Sequence, residues 1–193
     1  VNPKRAATAL LVTTIIGGLV VLAIPTVQEL FRPTLYKKIP TVVLDNHSEL
    51  KAAHRDYVKN GNEYIWGSND CSVFVWDYLK ASGKNPPSRP TTATMAHTDF
   101  LAQIGYKPTQ KPYLPGDIIV YRYTNRKGEP AGHTGIITNF DHRLFVVHNS
   151  AAHDGVIMEA LPNFVKTAVR LSKSQDYKVF RRDDAKSWLR KSS

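Results

Sequence analysis

The hydrophobic pattern of this chain changes period near Pro115, and that change restricts what it can fold into. Before it, apolar residues recur at helical spacing. Leu50, Ala53, Tyr57 and Val58 share one face of a helix expected over Ser48–Asn60 and stopped by Gly61. Cys71, Phe74, Val75, Tyr78 and Leu79 follow the i, i+3, i+4, i+7, i+8 pattern of a second helix over Cys71–Ser82. Asp70 stands as its N-cap and Gly83 lies just past its end. A third helix is expected over Thr92–Gln103. Beyond Pro115, Asp117–Tyr123, His133–Phe140, Arg143–His148 and Gly155–Glu159 read as successive strands joined by short polar turns, with a last strand over Tyr177–Arg181. Helices followed by an antiparallel sheet define an α+β domain.

One cysteine among 193 residues rules out an internal disulfide, so the fold must rest on its core, and 42% hydrophobic residues are enough for one domain. Ala6–Ile24 is a run of 19 residues without a charge, bounded by Lys4-Arg5 and Pro25. As a helix it would reach about 30 Å, the thickness of a bilayer core. An N-terminal transmembrane helix is therefore expected over residues 6–24. A signal peptide cut after Ala23 is the competing reading, with Ile24-Pro25 a poor sequel to a cleavage site. Basic residues flank the run on both sides (Lys4 and Arg5, then Arg32, Lys37 and Lys38), so charge does not set its orientation. Residues 26–45, broken by Pro33 and Pro40, read as a linker. The parse is an anchor over residues 1–25, the linker over 26–45 and a catalytic domain over 46–193.

The formal charge is +10, from 26 basic and 16 acidic residues, which favours an anionic partner. The basic residues are dispersed and not interleaved with aromatics, so no specific nucleic acid is expected. His148 and His153 stand five apart across a turn, and neither Cys-x-x-Cys nor His-Glu-x-x-His occurs, so no metal and no cofactor are expected.

Cys71 begins the apolar face of its helix at the amino end. There, unpaired N–H groups and the helix dipole stabilise an anion, favouring a thiolate nucleophile and offering donors to the oxyanion of an attacked carbonyl. The partner base is sought among seven histidines. His133 opens an apolar strand in Gly132-His133-Thr134-Gly135-Ile136, and His148 ends the next one. Neighbouring antiparallel strands can set the two imidazoles side by side, His148 orienting His133.

Four blocks, in order, resemble the NlpC/P60 cysteine peptidases. They are Tyr64-Ile65-Trp66-Gly67 with Asp70-Cys71-Ser72, Leu114-Pro115-Gly116-Asp117-Ile118, Gly132-His133-Thr134-Gly135-Ile136, and Phe145-Val146-Val147-His148. The resemblance spans roughly residues 46–160. It implies a papain-like α+β fold, the helix bearing the cysteine packed on an antiparallel sheet, and hydrolysis of amide bonds in peptidoglycan stem peptides. It further implies Cys71 as nucleophile, His133 as base and His148 as the third residue, with Asn149 the alternative for that role. Tyr64 would assist the oxyanion or substrate, Asp70 and Ser72 would shape the pocket, and Asp117 would be structural. Ser68 stands where a second glycine is usual and Val73 where a glycine commonly follows Cys-Ser. The related CHAP amidases share the cysteine-then-histidine order.

With a peptidoglycan substrate implied, the domain is expected on the periplasmic side, held by a single-pass anchor at the bacterial inner membrane. Housekeeping and toxin roles, and any immunity or regulatory protein, stay open. Two other readings stand beside the peptidase. A lipid acyl hydrolase or transferase of the same superfamily usually places its base before the cysteine, where His47 and His54 lie. A non-catalytic membrane-anchored adaptor would have no need of Cys71, His133 and His148 together.

Overall fold

The computed structural model describes residues 33–173 and 177–183. Seven strands form one antiparallel sheet: β1 (Leu35–Tyr36), β2 (Tyr106–Thr109), β3 (Ile118–Thr124), β4 (Pro130–Phe140), β5 (Arg143–Ser150), β6 (Gly155–Ala160) and β7 (Tyr177–Arg182). Their spatial order is β1-β6-β5-β4-β3-β7-β2. Six helices accompany them in the described residues: α1 (Thr41–Asp45), α2 (Ser48–Lys59), α3 (Cys71–Ala81), α4 (Thr92–Ala96), α5 (Thr98–Ala102) and α6 (Leu161–Ser172).

Strand β3 shows why the sheet is covered on both sides. Its run Ile118-Ile119-Val120-Tyr121 is buried throughout, and alternate side chains enter different cores. Ile118 and Val120 meet Leu50, Ala53 and Tyr57 of α2 and Phe74, Val75, Tyr78 and Leu79 of α3 in one core. Ile119 and Tyr121 join Ile137, Val146 and Val179 beneath Leu161, Phe164 and Ala168 of α6 in the other. The helix that carries Cys71 thus packs on the antiparallel sheet, an arrangement compatible with a papain-like fold.

Four features depart from the sequence reading. First, α6 was not anticipated, although Leu161, Phe164, Val165 and Ala168 have helical spacing; it gives the sheet its second cover. Second, the helix expected over Thr92–Gln103 is two short ones, parted at His97, whose backbone is extended. Met95 and Leu101 are both fully buried. In an unbroken helix these residues would lie about 120° apart, so the break lets both face the core. The Thr91–Thr94 capping box fixes the start of the first piece. Third, β2 pairs with β7 at the sheet edge, and its Lys-Pro-Thr composition hides it from periodicity.

Fourth, residues 33–45 are part of the domain and not a linker, which moves its boundary from 46 to 33. Ile39 and Val43 are buried in the first core, β1 pairs with β6, and the Ala160 N–H donates to the Thr34 carbonyl at 2.7 Å. The span expected over residues 6–24 lies outside the described residues. Among the described residues no helix is long and apolar enough to cross a membrane.

Asp117 fulfils its structural expectation locally and then goes further. Its carboxylate accepts the Leu114 N–H at 2.8 Å, as a turn aspartate does, and also receives Arg181 of β7 through Nε at 2.9 Å and Nη2 at 2.7 Å. The Pro-Gly-Asp turn is thereby tied to the neighbouring strand.

Candidate active site

The approach to Cys71 is a tight hairpin. Ile65 and Asn69 exchange backbone hydrogen bonds of 3.1 and 2.8 Å, which leaves Trp66 at the tip, 74% exposed. Asp70 then caps α3. Its Oδ1 accepts the N–H groups of Ser72 (2.9 Å) and Val73 (3.1 Å) and the Ser72 hydroxyl (2.6 Å), while Oδ2 accepts the Gly67 N–H (2.9 Å). Asp70 and Ser72 were expected to shape the substrate pocket. They line its wall, but their polar atoms bind each other and the hairpin. Of the first three amides of α3, only that of Cys71 is not given to Asp70, so it remains the donor for an oxyanion.

Cys71 is buried, and the backbone amide of Thr134, one peptide beyond His133, is close enough to stabilise charge on its sulfur. Burial, with the nearby Asp70 charge, pushes the thiol up to about 12, against the smaller opposing effect of the amides of Thr134, Ser72 and Cys71. The resting group is therefore a neutral thiol, not the thiolate that the helix terminus alone would favour. Tyr64 lies near enough to feel the Cys71 charge, and burial raises its phenol so that it keeps its proton and can donate.

His133 and His148 meet on the α6 face of the sheet. His133 pairs with Tyr121 across the β3–β4 ladder, and its Nε2 is 2.7 Å from His148 Nδ1. Phe164 of α6 packs on both rings, stacked on His133 at 5.6 Å and edge-on to His148 at 5.0 Å. Gly135 makes room for this. A Cβ there would lie 2.5 Å from Val146 Cγ1 and 2.9 Å from His148 Cβ, so any side chain would push β5 and its histidine away.

Sequence reasoning missed Glu159. On β6 it pairs with Val146, two residues from His148 on the same face of β5. Its Oε2 lies 3.5 Å from His148 Nε2, which is buried and otherwise without a hydrogen bond. The available signal was one acid closing the apolar run Val156-Ile157-Met158.

Burial lowers both imidazoles well below the ordinary histidine range, and each is neutral in the folded protein near pH 7. The unfolded chain takes up these protons below about pH 6.5, so the contribution of neutral burial is present above that pH and lost as pH falls. Acidification from pH 7 to 5 is expected to cost about 2 kcal/mol from His148, the more buried ring. Urea unfolding at the two pH values checks this, and His148→Asn should flatten the dependence.

Asn149, the alternative third residue, points to the opposite face and donates to the Asn69 carbonyl at 2.7 Å. It holds β5 against the hairpin before Cys71 and leaves His148 beside His133. His47 hydrogen-bonds the side chain of Asn139, six residues along β4 from His133 and about 20 Å away by strand rise. His54 lines a separate cavity with His153. Neither upstream histidine serves the cysteine.

Residues 59–150, just under half of the chain, match the family model described as CHAP domain. CHAP domains are amidase and peptidase domains related to the NlpC/P60 cysteine peptidases. No curated protein matches. A crystal structure described as "a putative xylanase from Bacteroides fragilis" is similar at 17% identity over 69% of this chain and 83% of that one, with a TM-score of 0.29, too low to bear on fold or function.

Proposed function

From the CHAP match over residues 59–150, we propose that this chain is a cysteine hydrolase that cleaves amide bonds in peptidoglycan stem peptides. The observation that carries the reading is the convergence on one peptide of β4. The backbone of Thr134 is close enough to Cys71 to stabilise charge on its sulfur, and the preceding residue, His133, is held by His148.

The chemistry follows from the proton arrangement. For His133 Nδ1 to act as base, the ring must carry its proton on Nε2 and donate it to His148 Nδ1. His148 then holds its own proton on Nε2, facing Glu159. With the thiol neutral at rest, Cys71 loses its proton to His133 as its sulfur attacks the amide carbonyl. The Cys71 N–H, with the Tyr64 hydroxyl as a second donor, stabilises the oxyanion. Collapse expels the amine, which takes the proton from His133 and leaves a thioester. Water, deprotonated by His133, attacks the thioester, releasing a carboxylic acid and regenerating the thiol.

We also place the domain at the bacterial inner membrane, on the periplasmic side, through residues 6–24. The uncharged length of that run and the anionic character of the wall polymer beside a +10 chain support this.

Mass spectrometry of peptidoglycan fragments after incubation with the protein tests the reaction and names the bond. A new amine and a new carboxylate at one stem-peptide position are expected; unchanged fragments from folded protein would defeat the proposal. Glu159 is assigned the support of the imidazolium through His148. Glu159→Gln is expected to lower kcat about tenfold, the size of one pKa unit of imidazolium stabilisation, and to move the acidic limb of the rate profile to lower pH. Loss of thermal stability with kcat and that limb unmoved would make its role packing alone.

A further inference from the structure

A cleft of about 390 Å³ opens beside Cys71, between the Trp66 hairpin, the segment around Arg89–Thr92 and the start of β4. Its two cations are Arg89, exposed, and Arg122, half-buried on β3. Its one acid is Asp70, whose oxygens already accept from Gly67, Ser72 and Val73. That carboxylate is committed to the cap and cannot also hold the arginines. Among the described residues neither arginine is in an ion pair, and the cleft presents guanidinium donors with nothing to receive them.

The backbone is cut away to bring one of them in. Gly132 lies at the base of the cleft, two residues after the start of β4 and directly opposite Arg122 in the ladder. A Cβ on Gly132 would stand 2.5 Å from Thr92 Oγ1 and 2.9 Å from Arg122 Cδ. The stem of Arg122 therefore crosses bare backbone beside Thr92, and the residue lines the same cleft as Cys71. A planar fork of donors held in this way suits a carboxylate, which it grips with two parallel hydrogen bonds. Trp66, largely exposed at the hairpin tip, adds an apolar wall to the same cleft.

We infer that this cleft is a carboxylate subsite: the hydrolase selects peptides that carry a free carboxylate near the scissile amide, gripped by Arg122 with Arg89 at the rim. The inference rests on the hydrolase reading for its context, but its binding can be measured without turnover.

The test uses the 193-residue chain bearing Cys71→Ala, titrated calorimetrically with a synthetic stem peptide and with versions in which each carboxylate in turn is a carboxamide. One amidation is expected to weaken binding about tenfold or more, the size of a charge-assisted pair in a partly enclosed site. Adding Arg122→Gln should abolish that difference by weakening only the carboxylate form, and Arg89→Gln, at an exposed site, should shrink it without risk to folding. If all versions bind alike, or if Arg122→Gln weakens acid and amide forms equally, the subsite is overturned. Turnover by the wild-type chain separates the two claims. Cleavage of acid and amide forms at equal kcat/KM leaves the hydrolase and removes the subsite. Discrimination in binding with no cleavage of any form leaves the subsite and removes the hydrolase.

Discussion

Cys71→Ala is expected to abolish hydrolysis, a loss of about 10⁴-fold or more in kcat, while the domain unfolds at nearly the same temperature. The two halves of that expectation have separate grounds. Cys71 is buried at the first position of α3, where alanine fits the same space with at most a small cavity, and the cap that starts the helix belongs to Asp70. The neighbouring hydroxyl of Ser72 is held by Asp70 at 2.6 Å and does not stand in for the thiol. Cys71→Ser is a sharper form of the same measurement. Serine keeps the shape and the N-cap, but its hydroxyl is harder still to deprotonate against a neutral imidazole, so it too should be inactive. His133→Ala should match these variants in lost turnover but not in stability, because it also removes the ring that Phe164 stacks on and leaves His148 Nδ1 unpaired. Substantial turnover by Cys71→Ala would end the cysteine mechanism, and full turnover by His133→Ala would move the base elsewhere.

The site was legible in the sequence wherever its parts are local. Asp70 followed by Cys71 and an apolar helical face announces a capped helix with a thiol at its amino end, and that is how residues 70–81 fold. The meeting of His133 with His148 was legible because two adjacent strands with a short turn leave few registers. What the sequence hid depends on distant partners. The thiol was expected to be acidified by the helix terminus. Packing under β4 reverses that, because the loss of solvent outweighs three amides. Asp70 and Ser72 look like pocket residues by position, and only the hairpin geometry shows their polar atoms turned to each other. Glu159 is an ordinary strand-end acid until β6 is laid against β5. β2, with a proline and a lysine in four residues, has no period of its own and exists because β7 offers it an edge.

Phe164→Ala is expected to be the most damaging change outside the cleft. The side chain is 2% exposed and lies in the core between α6 and the sheet, so truncation should cost about 3–5 kcal/mol. That alone would make it a stability mutation. Its contacts give it a second effect, because the same ring touches Tyr121 at 5.6 Å, His133 at 5.6 Å and His148 at 5.0 Å, and so fixes the planes of both imidazoles at once. With the ring gone, the histidines gain rotational freedom and water gains access to their buried face. The burial that keeps them neutral weakens, and their pKa values should rise toward the ordinary range. Phe164→Leu separates the two effects. Leucine fills most of the volume and should recover much of the stability, but it offers no flat face to the imidazole of His133. At a temperature where Phe164→Leu is fully folded, kcat is expected to stay depressed by roughly tenfold, as for a misoriented base, and histidine proton resonances followed by NMR should titrate at higher pH than in the wild type. Recovery of both stability and kcat in the leucine variant would show that α6 supports the sheet without orienting the histidines.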